Sequence, residues 1–474
     1  MPFLDQLNHW ARHQPGATAV EVGADRLSFA GLAARATGAL PEETDRAFIT
    51  AISLPNGIDF AVALTAGIAG DGAVAVLDPG WPVAQRETVT ERLAAEGARW
   101  QPRSRPGSVP ALADGRPGSV FLYGFTSGTT SLPKAFTRTR ESWRRSFEAG
   151  TDYFGLTRHD RTLAPGPLSS SLTLYALAES LHAGATFVTL PEFDLAAALA
   201  CVADREITRL VLVPTVLRLL AERGLAGGVD GRGLTSIISA GARLDPATLA
   251  AARRFASNAT IHEYYGAAEL SFIAASTVRP GEAPGTDVTA VGRAFPGVSL
   301  SIRDETGREL PRNETGTIFV RSDLVGNGYA WGDDGEAFRR DGDWCTVGDL
   351  GFLDRDDVLH FRNRRADMIV TSGQNVYPQE VEAALQGLSG VTSVVAVGVP
   401  DARRGSRLVV AVLGGPEVDA AVLRRAVAAS LAEAKRPRSY YRLKAMPLTP
   451  SGKLNRSILA RWITEGDPRV TALD

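Results

Sequence analysis

The stretch Tyr123-Gly-Phe-Thr-Ser-Gly-Thr-Thr-Ser-Leu-Pro-Lys134 decides how this chain is read. The apolar run Ser119–Tyr123 before it predicts a buried strand. The polar, Arg-rich segment Thr137–Glu148 after it predicts a helix. Between them lie small residues and hydroxyls: Thr126, Ser127, Gly128, Thr129, Thr130 and Ser131. Such a loop can aim its N–H and O–H groups at one point, which is the geometry of an anion nest with phosphate as the usual guest. Lys134 adds an ammonium at its end. An ordinary surface turn has the same composition. The Gly-x4-Gly-Lys-[Ser/Thr] spacing is absent, which excludes a Walker-type ATPase or kinase.

Outward from this loop, strand-like and helix-like runs alternate. Towards the N-terminus the reading gives a strand at 48–54, a helix at 57–69, a strand at 73–77 and a helix at 84–96. Towards the C-terminus it gives helices at 172–182, 195–204, 216–222 and 246–255, with strands at 186–190, 210–213, 236–239 and 260–264. Alternation of this kind predicts parallel sheets covered by helices. After Pro280 short alternating runs such as Ser299–Arg303 and Thr317–Val320 predict a small antiparallel sheet or barrel. From about Arg364 a further α+β unit begins. The expected fold is therefore α/β, with a large domain over residues 1–363 and a small C-terminal domain over 364–474.

Composition narrows the function. A chain of 474 residues can bury more than one core. Its net charge of −2 points to neither nucleic acid nor an anionic membrane. Two cysteines, Cys201 and Cys345, fit free thiols in a reducing compartment, and no run is long and apolar enough for a membrane span. The N-terminus lacks the pattern of a signal peptide, so a cytoplasmic protein is expected. Of 51 Lys plus Arg only four are Lys: Lys134, Lys435, Lys444 and Lys453. A lysine retained against such a bias suggests a position that needs an ammonium.

Four further groups carry chemistry. Tyr264-Tyr265-Gly266-Ala267-Ala268-Glu269 follows a predicted strand, just where ligands sit in doubly wound sheets. A single Glu there can hold Mg²⁺ with phosphate oxygens and water completing the shell. A solvated Glu in a strand-end turn is the plainer reading. Thr346-Val-Gly-Asp349-Leu-Gly351 places an Asp in a Gly-flanked turn, where turn chemistry alone is common. Asn363-Arg364-Arg365-Ala366-Asp367 leads into Ser372-Gly373-Gln374. Pro447-Leu-Thr-Pro-Ser-Gly-Lys453 ends the series; a Lys in such a turn is ordinarily solvated.

Together and in this order, these groups resemble the acyl-adenylate-forming superfamily of acyl-CoA synthetases, adenylation domains and luciferases. The resemblance implies ATP (and AMP) and Mg²⁺ as ligands. It implies that Thr126, Ser127, Gly128, Thr129, Thr130 and Lys134 cradle phosphate. Gly241, Ala242, Tyr264, Tyr265 and Gly266 would border adenine, Glu269 would bind Mg²⁺, and Asp349 and Arg364 would hold ribose. Lys453 would bridge the carboxylate and the α-phosphate, and Gly373 would let a pantetheine thiol pass. The family's hinge residue aligns with Ala366, or with Asp367 if the register moves by one. Several positions depart from the pattern: Ser131 and Ala135 replace glycines, Ala268 replaces the family's phosphate-contacting Thr, Ala366 stands where the hinge is usually Asp or Lys, and Ser170 stands where acyl-CoA synthetases often have His.

The implied reaction is acid + ATP → acyl-AMP + pyrophosphate, followed by transfer to an acceptor: CoA, a carrier-protein thiol or an amine. Pro165–Leu174 matches the region flanking the acyl pocket, with Ser169, Ser170, Tyr175 and Ser239 as candidate lining residues. Serines stand where an Asp would hold an α-ammonium, which disfavours an amino acid. A fatty or aromatic acid transferred to CoA is the first expectation. Nitrite, adenylated for diazotisation of an aryl amine in a biosynthetic pathway, is the alternative. A non-catalytic nucleotide-binding relative is a third, although it would be expected to lose Lys453 or Glu269 first.

Overall fold

The structure is a computed structural model that describes residues 3–40, 49–99, 112–126, 133–204, 206–282, 287, 289–333, 335, 338–364, 369–371, 374–401, 405–449 and 452–473. The chain forms two compact units. The first comprises Met1–Glu314, Ile318–Val347 and Leu353–His360. The second comprises Thr315–Thr317, Gly348–Phe352 and Phe361–Asp474.

In the first unit two sheets carry the site. In one, Arg209–Leu212 lies between Arg161–Leu163 and Ser236–Ala240, and Thr260–Ala267 runs parallel to Ser236–Ala240. Arg209–Leu212 and Ser236–Ala240 are buried along their whole length. Parallel strands covered on both faces read in sequence as continuous apolar runs, which is why these were legible. Helices Pro214–Gly227 and Pro246–Phe255 each open with Pro in the first turn, where its missing N–H costs nothing. Asp245 caps the second by accepting from the N–H groups of Ala247 and Thr248.

The other sheet has the order Gly328–Trp331, Lys134–Thr139, Val120–Thr126, Ala73–Val76, Ile49–Ile52. The last three are parallel and the first two pair antiparallel. Asn56 stitches the two sheets' surroundings together. Its amide donates to the carbonyls of Gly166 and Leu190, and its oxygen accepts from Leu168 N–H at 2.7 Å.

Three expectations need correction. The segment after the phosphate loop is first a strand, Lys134–Thr139, and the helix spans Arg140–Phe154. Thr139 is its cap, accepting from Ser142 N–H at 3.2 Å. Two arginines of this Arg-rich stretch are hidden: Arg138 is 1% and Arg140 0% exposed. Arg140 spends its guanidinium on the carbonyls of Ile68, Gly72 and Val120. The strand expected at 260–264 continues to Ala267 and turns into Ser271–Val278, which pairs with it antiparallel. The C-terminal reading stopped short of helix Arg456–Glu465 and strand Val470–Leu473.

The second unit has its own core around Val381, Leu408, Val410, Val412, Leu423 and Tyr440. Val391–Asp401 and Gly405–Gly414 form its longest hairpin, and Ser439–Leu443 runs parallel to the latter. Helices Pro378–Leu385 and Ala420–Ser430 complete an α+β unit.

Candidate active site

Thr126 and Lys134 are opposite partners at the loop end of the hairpin Val120–Thr126 and Lys134–Thr139. The hairpin therefore brings the two described ends of the predicted phosphate loop together. Ser127, Gly128, Thr129, Thr130 and Ser131 lie outside the described residues. Strand Gly328–Trp331 braces this hairpin. Tyr329 pairs with Phe136, and Trp331 Nε1 donates to Pro133 O at 3.1 Å.

The same strand reaches the other predicted group. Glu269 sits in the turn between Thr260–Ala267 and Ser271–Val278 and is 6% exposed. The Tyr329 hydroxyl donates to Glu269 Oε1. The turn's backbone is also pinned: Gly326 N–H donates to Glu269 O at 2.8 Å, and Arg138 Nη1 donates to the carbonyls of Ala268 and Glu269. Arg138 Nη2 gives a further bond to Leu324 O at 2.6 Å. Burial lowers the Arg138 pKa to about 10, with Tyr175 and Glu269 opposing the shift. Arg138, Gly326 and Tyr329 thus fix Glu269 relative to the phosphate hairpin. Sequence reading missed all three, because nothing local marks a residue whose partner is more than fifty positions away.

Gly266 is required by close approach. A Cβ there would meet Ser271 O at 2.4 Å, and the strand register slips between Tyr265 and Gly266. Tyr264 and Tyr265 are half-buried, and Ala240 and Tyr264 are register partners. Gly241 and Ala242 follow Ala240 at the same carboxyl end, with Gly241 at φ 87°. Ser239 is fully buried, and among the described residues its hydroxyl has no hydrogen-bond partner. Ser170 donates to Thr173 Oγ1 at 3.1 Å, and Ser169 is half-buried beside it. The Tyr175 hydroxyl donates to Ser146 Oγ at 3.1 Å.

Among the described residues no cluster of three or more His, Cys, Asp or Glu could hold a metal ion by itself. Glu269 is a single buried carboxylate, so a divalent cation here would take its remaining ligands from phosphate oxygens and water. That is the usual coordination of Mg²⁺, and the donor set fits it.

A small cavity lies under the carboxyl ends of these strands. It is lined by Leu172, Tyr175, Glu179, Arg209, Tyr264 and Phe272 among others, and its volume is about 10 Å³, the space of a single water at most.

In the second unit, Lys453 is exposed on a tight turn. Thr449 N–H donates to Lys453 O at 2.7 Å, and Lys453 N–H donates to Thr449 Oγ1 at 3.1 Å. Gly452 at φ 78° allows that turn. Helix Arg456–Glu465 follows immediately, capped by Asn455 and anchored by the Arg456–Glu382 ion pair at 2.7 Å. Asp349, in the same unit, is 2% exposed at the start of strand Asp349–Leu353. Arg364 ends strand Val358–Arg364. Ala366, Asp367 and Gly373 lie outside the described residues.

Sequence comparison agrees with this arrangement. A profile described as AMP-binding enzyme matches residues 89–330, and its C-terminal-domain companion matches 380–453. The chain belongs to the AMP-binding enzyme family. An uncharacterised acyl–CoA ligase of Bacillus subtilis, YhfT, is 30% identical to this AMP-binding enzyme over 96% of this chain and 97% of its own. A putative long chain fatty acid-CoA ligase of Staphylococcus haemolyticus, VraA, is 31% identical over 72% of this chain and 70% of its own. Among solved structures, ATP-bound MatB from Rhodopseudomonas palustris superposes with a TM-score of 0.79 at 24% identity, covering 97% of this chain and 99% of that one. The α/β fold with a large sheet-bearing unit and a small C-terminal one is the fold of that protein. This AMP-binding enzyme is an AMP-forming ligase that at family level activates an acid with ATP. Among the described residues no helix is long and apolar enough to cross a membrane.

Proposed function

We propose that this ligase catalyses acid + ATP → acyl-AMP + pyrophosphate and then transfers the acyl group to a thiol, with CoA as the acceptor. The observation that carries this reading is the fixed relation between the Glu269 carboxylate and the hairpin mouth at Thr126 and Lys134, enforced by Tyr329. It supports a site in which a nucleotide triphosphate lies along the hairpin with its charge offset by Lys134 and by a cation at Glu269.

In this reading the chain's own residues do little covalent work. The acid's carboxylate oxygen attacks the α-phosphorus and pyrophosphate leaves. Rate comes from holding the two in line and from neutralising charge as it gathers. Mg²⁺, when bound, adds charge neutralisation at the phosphates. Lys453 supplies an ammonium from a rigid turn, and Asp349 supplies a carboxylate whose two oxygens suit the vicinal hydroxyls of ribose. The hinge at Ala366 or Asp367 and a thiol passage at Gly373 belong to the transfer step, and a carrier-protein thiol or an amine remain the other acceptors. The test is AMP release from ATP and Mg²⁺ with a panel of acids, with and without CoA. AMP with matching acyl-CoA supports the reading; ADP in place of AMP refutes it.

A further inference from the structure

We propose that the segment 326–332 is a strut that sets the spacing between Lys134 and Glu269, with Trp331 and Gly332 as positioning residues for Lys134. The inference rests on the adenylation reading above and deepens it, since what these residues tune is the hold on the phosphates of ATP.

The segment touches both groups. At one end Gly326 N–H donates to Glu269 O at 2.8 Å and Asn327 N–H donates to Thr137 O at 3.2 Å. The Tyr329 hydroxyl donates to Glu269 Oε1. At the other end Trp331 Nε1 donates to Pro133 O at 3.1 Å, one residue before Lys134. Gly332 lies against Lys134 itself. A Cβ on Gly332 would stand 3.1 Å from Lys134 Cα, 3.1 Å from its Cγ and 3.3 Å from its Cβ. Glycine leaves that space open, and its φ of 83° is one that other residues rarely adopt.

A bulge explains how one short strand serves both groups. Tyr329 pairs with Phe136 and Trp331 with Ala135, so Ala330 is an extra residue on this strand. Paired residues share a face of the sheet, and neighbours such as Ala135 and Phe136 face opposite ways. In a regular strand Tyr329 and Trp331, two positions apart, would face the same way. The bulge turns them apart. Tyr329 goes to Glu269, and Trp331 joins the core cluster that holds Ala135 and Tyr123. There Trp331 is 9% exposed, with its ring 6.4 Å from that of Tyr123 and 6.0 Å from that of Phe125. A close-packed indole has little room to shift. Its N–H therefore gives Pro133, and Lys134 after it, a fixed point on the sheet.

Gly332→Ala tests the contact, and Gly335→Ala is its control. Both glycines sit at φ 83°, but a Cβ on Gly335 meets nothing within 4 Å. The two substitutions impose similar backbone strain, and only the first presses on Lys134. Calorimetric titration of the full chain with ATP and Mg²⁺, and separately with AMP, reads the effect. Gly332→Ala should bind ATP at least about tenfold more weakly than Gly335→Ala, the scale of a lost hydrogen bond to a charged group. AMP should weaken by less, because the Lys134 charge then acts on one phosphate instead of three. Trp331→Phe keeps a ring in the core and removes the donor, and it should lower the same preference for ATP over AMP. Equal ATP affinity in the two glycine variants, or equal losses for ATP and AMP, overturns the positioning role and leaves the adenylation reading standing. Failure of the wild-type protein to bind ATP overturns that reading and the strut with it. Should Gly332→Ala fail to fold, Trp331→Phe against wild type decides, and an unchanged preference overturns the proposal.

Discussion

Tyr329 donates its hydroxyl to Glu269 Oε1, and so joins two parts of the sequence that the motifs treat separately. Tyr329 belongs to the strand that braces the phosphate hairpin, and Glu269 to the turn beyond Tyr265. The bond keeps a buried carboxylate in one orientation, the one the proposed cation would meet. Tyr329→Phe removes the donor and leaves the acceptor in place. Losing one partner of a buried hydrogen bond costs about 1–3 kcal/mol. The variant should therefore unfold at lower denaturant and need more Mg²⁺ for half-maximal AMP formation. An unchanged Mg²⁺ requirement would leave Tyr329 as a packing residue only.

Lys453→Ala should separate the two half-reactions. In the proposed reading the ammonium on the Thr449–Lys453 turn acts where negative charge gathers on phosphorus, which is the adenylation step. The substitution lies on an exposed turn, so the fold should survive it. AMP formation from ATP is expected to fall by at least about 100-fold, the scale seen when a single charge-stabilising donor is removed. Transfer from a pre-made acyl-adenylate to thiol should be nearly unaffected. Equal losses in both steps would refute the role.

The Glu179–Arg209 pair gives a stability prediction that needs no assay. Glu179→Gln leaves Arg209 charged and buried without its counter-ion, at a cost of about 3–5 kcal/mol. Replacing both residues by Met removes the charges together and should recover most of that loss, because a buried ion pair and a well-packed apolar pair are close in energy. Denaturant titration of the three proteins measures this directly. A double variant as unstable as Glu179→Gln would mean the pair contributes far more than it costs to bury.

What the sequence disclosed and what it concealed follow the range of each interaction. Strands such as Arg209–Leu212 and Ser236–Ala240 were visible because burial on both faces leaves apolar stretches at their centres, Leu210 to Leu212 and Ile237–Ile238. Glu269 and Lys453 were visible because each sits in a local pattern of turn residues. Arg138 was not singled out, because nothing local marks a guanidinium that donates to the carbonyls of Ala268, Glu269 and Leu324. Tyr329 was missed for the same reason, being defined only by a partner sixty residues earlier. The fatty-acid expectation rested on serines near Pro165–Leu174. Phe272 was not read from sequence at all, because it lies on a strand, Ser271–Val278, that the local pattern did not reveal.

His262 predicts an acid limit on stability. It is 5% exposed, with Nδ1 at 3.0 Å from Thr277 Oγ1 and rings of Tyr153 and Phe154 beside it. Burial first, then the charges of Arg209 and Arg279, lower its pKa to about 4. In the unfolded chain an imidazole titrates near 6.5. Between those values the unfolded state holds the proton and the folded state does not, so stability falls as pH drops from about 6.5 to 4 and is constant above. The whole effect is about 3 kcal/mol, from roughly 2.5 units at 1.36 kcal/mol each. Asp114 works against it in the wild-type protein, because burial raises its pKa to about 6 and acidification relieves that cost. Comparison with His262→Gln cancels the Asp114 contribution. The stability of the variant relative to wild type should improve steadily as pH falls through that window and be flat above it. A difference independent of pH from 4 to 7 would show that His262 does not stay neutral in the folded protein.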